Sequence, residues 1–177
     1  GVNGLFIAGS GAMGSGIAQA AVQAGLKVTL YDVAYERVER AIGSITERLA
    51  GKVAKGKITQ QDMDATLALL GGSADLSTAA NADMVIECIY EDFDAKEALY
   101  TEIQKYTKED VILASNTSSY SITALAKAVK YPERFIGMHF FNPVPVMKLL
   151  EITRGLATTD ETLEAARKVG ERMGKVM

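Results

Sequence analysis

Residues 9–14 read Gly-Ser-Gly-Ala-Met-Gly, a G-x-G-x-x-G set, and their neighbours give the pattern its force. Before them stands Leu5-Phe6-Ile7-Ala8, a continuous apolar run of the kind that fills a strand buried on both faces. After them Ile17, Ala20, Ala21 and Ala24 recur at helical spacing. In such a strand–turn–helix unit the first glycine permits the tight turn, the second leaves the backbone bare for a pyrophosphate, and the third lets the helix pack closely. Free N–H groups at the helix start then face the phosphates. Lys27-Val-Thr-Leu-Tyr31 reads as a second strand, and Asp32 closes it. A carboxylate there accepts hydrogen bonds from a ribose diol and repels a 2′-phosphate. Gly9, Ser10, Gly11, Ala12, Met13, Gly14 and Asp32 are therefore expected to bind a dinucleotide, NAD in preference to NADP. Reading Asp32 as a helix N-cap alone would leave the glycines unexplained.

The rest of the chain continues the alternation of short strands and helices that marks an α/β, doubly wound, mostly parallel sheet of Rossmann type. Helices are predicted over 35–52, after Thr59, over 93–106, over 121–129 and over 160–173. Strands are predicted over 70–73, 83–89, 111–114, 135–139 and 148–153. The helix pair around Gly56 exceeds a minimal strand–helix–strand unit and is expected to protrude from the sheet. Neither a repeat nor a linker interrupts the 177 residues, which read as one domain, 1–177.

In open sheets of this kind ligands sit outside the carboxyl ends of the strands. Beyond the glycines and Asp32, that rim receives Glu91 and Lys96, then Asn116 and Ser118 from Ser115-Asn-Thr-Ser-Ser119, then His139 and Asn142. His139 is the only histidine. If the segments flanking the Pro143–Val146 turn pair antiparallel, His139 and Glu151 stand opposite each other across a midpoint at residue 145. The carboxylate would then fix the imidazole tautomer and stabilise the imidazolium, making His139 a general base. Glu91 and Lys96 alone read equally well as a solvated pair. A Ser118–His139–Glu151 hydrolase is disfavoured, because Ser118 lies outside a G-x-S-x-G elbow and a hydrolase has no use for the glycine loop.

Composition narrows the partners. A net charge of −3 gives no concentrated basic surface for nucleic acid, and no apolar run reaches the roughly 18–20 residues that span a bilayer. Cys88 is the only cysteine and no apolar leader is visible, which fits a reducing, cytoplasmic compartment. No metal site is expected.

Three segments carry a family resemblance: Gly9-Ser-Gly-Ala-Met-Gly-Ser-Gly-Ile-Ala18, Ala114-Ser-Asn-Thr-Ser-Ser119 and His139-Phe-Phe-Asn-Pro-Val-Pro-Val-Met-Lys-Leu149. Over essentially the whole chain the sequence resembles the NAD-binding domain of 3-hydroxyacyl-CoA dehydrogenases, nearest to the bacterial 3-hydroxybutyryl-CoA branch. The resemblance implies reversible NAD-dependent oxidation of a short-chain (S)-3-hydroxyacyl-CoA to the 3-oxoacyl-CoA. It implies His139 as catalytic base, Glu151 as its orienting partner, and Ser118 meeting both nicotinamide and substrate oxygen. Glu91 and Lys96 would contact the nicotinamide-side ribose and phosphate region, with Asn116 and Asn142 lining the same site. The helix pair resembles the family's CoA-contacting arm, where Lys52, Lys55 and Lys57 would meet phosphates, although as residues alone they read as solvated lysines. Ser10 departs from the family's usual alanine. The family continues past residue 177 into an all-helical substrate and dimerisation domain. The expectations are therefore a homodimer for the full-length form and NAD binding with weak acyl-CoA turnover for these residues alone. Two alternatives stay open: a non-catalytic NAD-binding or redox-sensing module, and a dehydrogenase of hydroxy acids without CoA.

Overall fold

A computed structural model describes residues 1–177. Seven strands, β1 (Gly4–Ala8), β2 (Lys27–Tyr31), β3 (Leu70–Ser73), β4 (Met84–Glu87), β5 (Ile112–Ser115), β6 (Phe135–Phe140) and β7 (Leu150–Arg154), form one sheet. Their order is β3-β2-β1-β4-β5-β6-β7, and only the β6–β7 pair is antiparallel. The chain reverses direction across the sheet between β1 and β4, so the crevice of a doubly wound sheet opens at their carboxyl ends.

Alternation along β1 divides the core. Leu5 and Ile7 face one layer, containing α1 (Ala12–Gln23), α2 (Tyr35–Ala54), α3 (Gln60–Leu67) and α6 (Asp160–Arg172). Phe6 and Ala8 face the other, containing α4 (Phe93–Ile103) and the short α5 (Ile122–Leu125). Both faces of β1 are thereby covered, which is why its sequence is apolar without a break. The pair α2–α3 buries Ala41, Ile45, Leu49 and Met63 in the first layer, while the connection around Gly56, where φ is +72°, is exposed. Thr59 and Asp62 form a reciprocal capping box that starts α3.

Several elements differ from the sequence reading, most by one to three residues at an end. β4 stops at Glu87, and Gly9 lies against the residue that follows it: a Cβ on Gly9 would sit 2.6 Å from the Cys88 carbonyl oxygen. Residues 121–129 form one α-helical turn, α5, followed by a 3₁₀ turn at Ala126–Ala128 rather than a single helix. A 3₁₀ segment at Leu76–Asn81, capped by the Asp75 side chain on the Ser77 N–H, had no periodic signal to reveal it. In the β6–β7 hairpin, Met138 pairs with Ile152, His139 with Glu151 and Phe140 with Leu150.

Candidate active site

The β1–α1 connection is held by contacts that exclude side chains. Gly9 has φ +112° and donates its N–H to the Tyr31 carbonyl at 2.8 Å. A Cβ on Gly14 would lie 1.7 Å from the Gly9 carbonyl oxygen, so the helix touches the turn backbone to backbone. A Cβ on Gly11 would meet nothing within 4 Å. Gly11 is also the N-cap of α1; it supplies no side-chain acceptor, and the first turn has no acidic residue. The helix therefore presents its end donors to an open cleft of about 1120 Å³ lined by Gly9, Gly11, Met13, Asp32 and Tyr90 among others. Bare backbone at Gly11, an uncapped helix start and an acid at the β2 end fit a pyrophosphate with its attached ribose.

Asp32 is more tightly held than its sequence position implies. Its Oδ2 accepts from the Ser10 N–H (3.0 Å) and the Ser10 hydroxyl (2.7 Å), and its Oδ1 from the Val33 N–H (2.8 Å). Arg37 approaches Oδ1 at 3.7 Å. Burial alone would raise the carboxyl's pKa; the Ser10 and Val33 donors and the Arg37 charge outweigh it and leave it lowered. Ser10 thus ties the glycine loop to the acid at the end of β2.

Beneath the rim lies a charged network that sequence reasoning missed. Glu87 is fully buried and accepts four hydrogen bonds. Tyr100 Oη (2.6 Å) and Ser115 Oγ (2.7 Å) donate to Oε1, while Lys96 Nζ (2.6 Å) and the Ile89 N–H (2.9 Å) donate to Oε2. Lys96, only 1% exposed, also reaches Glu91 Oε1 at 3.0 Å. Glu91 in turn accepts from the Thr117 hydroxyl at 2.8 Å, and Thr117 Oγ1 accepts from the Ser119 and Tyr120 N–H groups. Lys96, expected at the cofactor, is instead committed to two carboxylates, and it is the half-exposed Glu91 that reaches the rim. Burial tends to raise the Glu91 pKa, but Thr117 and Lys96 hold it lowered. The available signal was Glu87 itself, a lone acid in the apolar run Met-Val-Ile-Glu-Cys-Ile.

The remaining rim residues gather at the ends of β5 and β6. Asn116 uses its side-chain oxygen to accept the Phe140 N–H at 2.8 Å, fastening the two strands together. Ser118 and Asn142 are exposed. His139 points to the same sheet face as Phe135 and Gly137, packs on Phe141 at 4.5 Å between ring centroids, and places Nδ1 3.9 Å from Glu151 Oε2. A hydrogen bond would require the two to close by about 1 Å. Ser118, His139 and Asn142 lie beyond the lining of the large cleft. Lys52 is half-buried, and Lys55 and Lys57 are exposed, all far along the chain from this cluster. No group of three or more His, Cys, Asp or Glu is arranged to hold a metal, and no helix is long and apolar enough to cross a membrane.

Comparison with known proteins places this geometry in a family. Residues 5–177 match the model described as 3-hydroxyacyl-CoA dehydrogenase, NAD binding domain. A probable 3-hydroxybutyryl-CoA dehydrogenase of Bacillus subtilis is 44% identical over 97% of this chain and 60% of its own length. The 3-hydroxyadipyl-CoA dehydrogenase of Escherichia coli is 43% identical over 97% of this chain and 36% of its own. Among solved structures, the (S)-3-hydroxybutyryl-CoA dehydrogenase of Ralstonia eutropha superposes with a TM-score of 0.96 at 40% identity, covering 99% of this chain and 62% of that one. The chain thus spans less than two thirds of each of these proteins. With the family model covering all but the first four residues, this chain belongs to the NAD-binding-domain family of the 3-hydroxyacyl-CoA dehydrogenases.

Proposed function

We propose that this domain binds NAD and supplies the general base for reversible oxidation of a short-chain (S)-3-hydroxyacyl-CoA to the 3-oxoacyl-CoA. The observation that carries the reading is the direct pairing of His139 with Glu151 across β6–β7, at the sheet rim onto which the glycine loop also opens. Bound NAD⁺ would supply the hydride acceptor. His139, with Nδ1 turned toward Glu151, has Nε2 left to take the 3-hydroxyl proton as C3 gives up hydride. The products are the 3-oxo thioester, NADH and a proton. Ser118, exposed beside this hairpin, would donate a hydrogen bond to the reacting oxygen and steady its negative charge. Glu91, kept ionised by Lys96 and Thr117, would accept from the nicotinamide-side ribose. Asp32 would do the same for the adenosine ribose.

Positioned acid–base groups are worth about 10²–10⁴-fold. His139→Gln should therefore lose most of the NADH oxidation driven by acetoacetyl-CoA while keeping NADH affinity, read by fluorescence titration. Parallel loss of NADH binding would refute the role, and equal rates with free acetoacetate would refute a CoA thioester as substrate. A redox-sensing module would need no base facing a carboxylate, so His139→Gln would leave its behaviour unaltered.

A further inference from the structure

The turn between His139 and Glu151 is gripped from two directions by residues with no part in the chemistry above. On one side is Gly16, in the second turn of α1. A Cβ there would lie 3.0 Å from Val144 Cβ and 3.1 Å from Val144 Cγ2, with Pro145 Cδ at 3.6 Å. Val144 is 1% exposed, so its seat against the bare helix backbone is fully occupied. On the other side is Lys175, 8% exposed, whose ammonium donates to the Val144 carbonyl (2.5 Å) and the Met147 carbonyl (2.6 Å). Within the turn, the N–H groups of Val146 and Met147 both reach the Pro143 carbonyl.

Lys175 is delivered there by the end of α6. Gly174, at φ +77°, reverses the chain, and the Lys175 N–H closes on the Gly170 carbonyl at 2.9 Å. The next residue is stitched to the hairpin: the Val176 N–H reaches the Lys148 carbonyl, and the Leu150 N–H reaches the Val176 carbonyl. No carboxylate pairs with the ammonium, and burial alone pulls its pKa below the ordinary lysine value. An aliphatic side chain would fill the space without that desolvation cost. What the cation adds is direction: it fixes two carbonyls that bracket the turn.

We propose that the Pro143–Met147 turn is a fixed joint, wedged on Gly16 and tied by Lys175, that sets the position of the His139–Glu151 hairpin relative to the dinucleotide loop. Gly16 lies two residues after Gly14, on the helix whose start faces the phosphates, so the same helix registers both halves of the site. Gly16 and Lys175 are positioning residues, acting through Val144 and Met147. The proposal rests on the reading of the glycine loop only for what the joint serves.

One histidine per chain makes the test direct, because the imidazole ¹H–¹⁵N signals of the free protein belong to His139 alone. Gly16→Ala forces Val144 outward, and Lys175→Met releases both carbonyls. Each should shift or broaden the ring signals while leaving NADH affinity by fluorescence titration as in the parent. Adding Val144→Ala to Gly16→Ala removes the Cγ2 contact and should move the signals back toward the parent's. Unchanged ring signals in a folded Lys175→Met protein would overturn the proposal. So would a fall in NADH affinity with the ring unmoved, which would assign both residues to the loop itself. Loss of the fold in Lys175→Met would make the ammonium a global stabiliser and overturn it as well. A parent that fails to bind NADH would refute the dinucleotide reading, yet the ring comparison would still decide the joint.

Discussion

Removal of the Glu87 carboxylate is the most demanding test of how the rim is supported. In Glu87→Ala, Lys96 keeps Glu91 at 3.0 Å, a partner 40% exposed to water, and the Ile89 carbonyl at 3.4 Å. Tyr100 Oη and Ser115 Oγ lose their shared acceptor, and both residues are buried, at 1% and 0% exposure. Burial, and after it the Glu87 charge, drives the Tyr100 pKa far above its ordinary value, so this hydroxyl is always a donor seeking an acceptor. Breaking a buried ion pair by deleting one partner costs about 3–5 kcal/mol. Each stranded hydroxyl adds about 1 kcal/mol at the low end of the range. Glu91 recovers part of the first figure, so the net loss is about 4 kcal/mol. For a chain of this size each kcal/mol moves the melting temperature by about 2–4 °C, giving a fall of roughly 8–16 °C. Thermal and urea unfolding followed by circular dichroism measure it. Tyr100→Phe removes one donor of four and should cost about 1.5 kcal/mol. Lys96→Met should cost much less in the Glu87→Ala background than in the parent, because the charge it balances is gone. A Glu87→Ala protein within about 1 kcal/mol of the parent would refute the claim that this carboxylate organises the strand ends.

Three other outcomes are expected. Gly11→Ala, with nothing within 4 Å of the new methyl, should fold with unchanged melting temperature but bind NADH at least tenfold more weakly, since the methyl enters the cleft, whereas Gly14→Ala, with its Cβ 1.7 Å from a carbonyl oxygen, should lose both stability and binding. Fluorescence titration and thermal melts on the two variants separate these effects. Ser10→Ala deletes a donor that lowers the Asp32 pKa, so the acid limb of NADH binding should move to higher pH in a titration series. At the opposite end of the sheet, burial would raise the Asp83 pKa, but the Lys108 ammonium and the Asn3 and Gly4 N–H groups bring it down to about 2. A depressed folded-state value means the stabilisation is complete above pH about 4 and is lost as pH falls toward 2. Water around Lys108 screens the pair, so Asp83→Asn should flatten the acid limb of a pH–stability curve by about 1 kcal/mol.

The parts of the molecule most legible in its sequence are those governed by local steric rules. The glycine loop, the β2 acid and the hairpin register follow from turn chemistry and a period of two, and the structure pairs His139 with Glu151 as the midpoint at residue 145 predicts. Long-range polar commitments were harder to see. Nothing in the spacing of Lys96 says that its ammonium turns inward to Glu87 rather than outward to a ligand, because a lysine at that helix position can do either. Asn116 likewise reads as a site residue, while its oxygen is spent on the Phe140 N–H of the neighbouring strand. The grip of Gly16 and Lys175 on the turn joins residues more than 150 positions apart, and neither a periodicity nor a motif links them.

The antiparallel hairpin also restricts how this region can change in length. Neighbouring side chains on a strand point to opposite sides, so sliding β7 by a single position would bring Leu150 or Ile152 abreast of the imidazole and turn the acid toward the other layer. Insertions or deletions between Phe140 and Leu150 therefore keep the imidazole opposite the acid only where the connecting turn absorbs them, and a residue added within either strand must bring a bulge or lose that pairing.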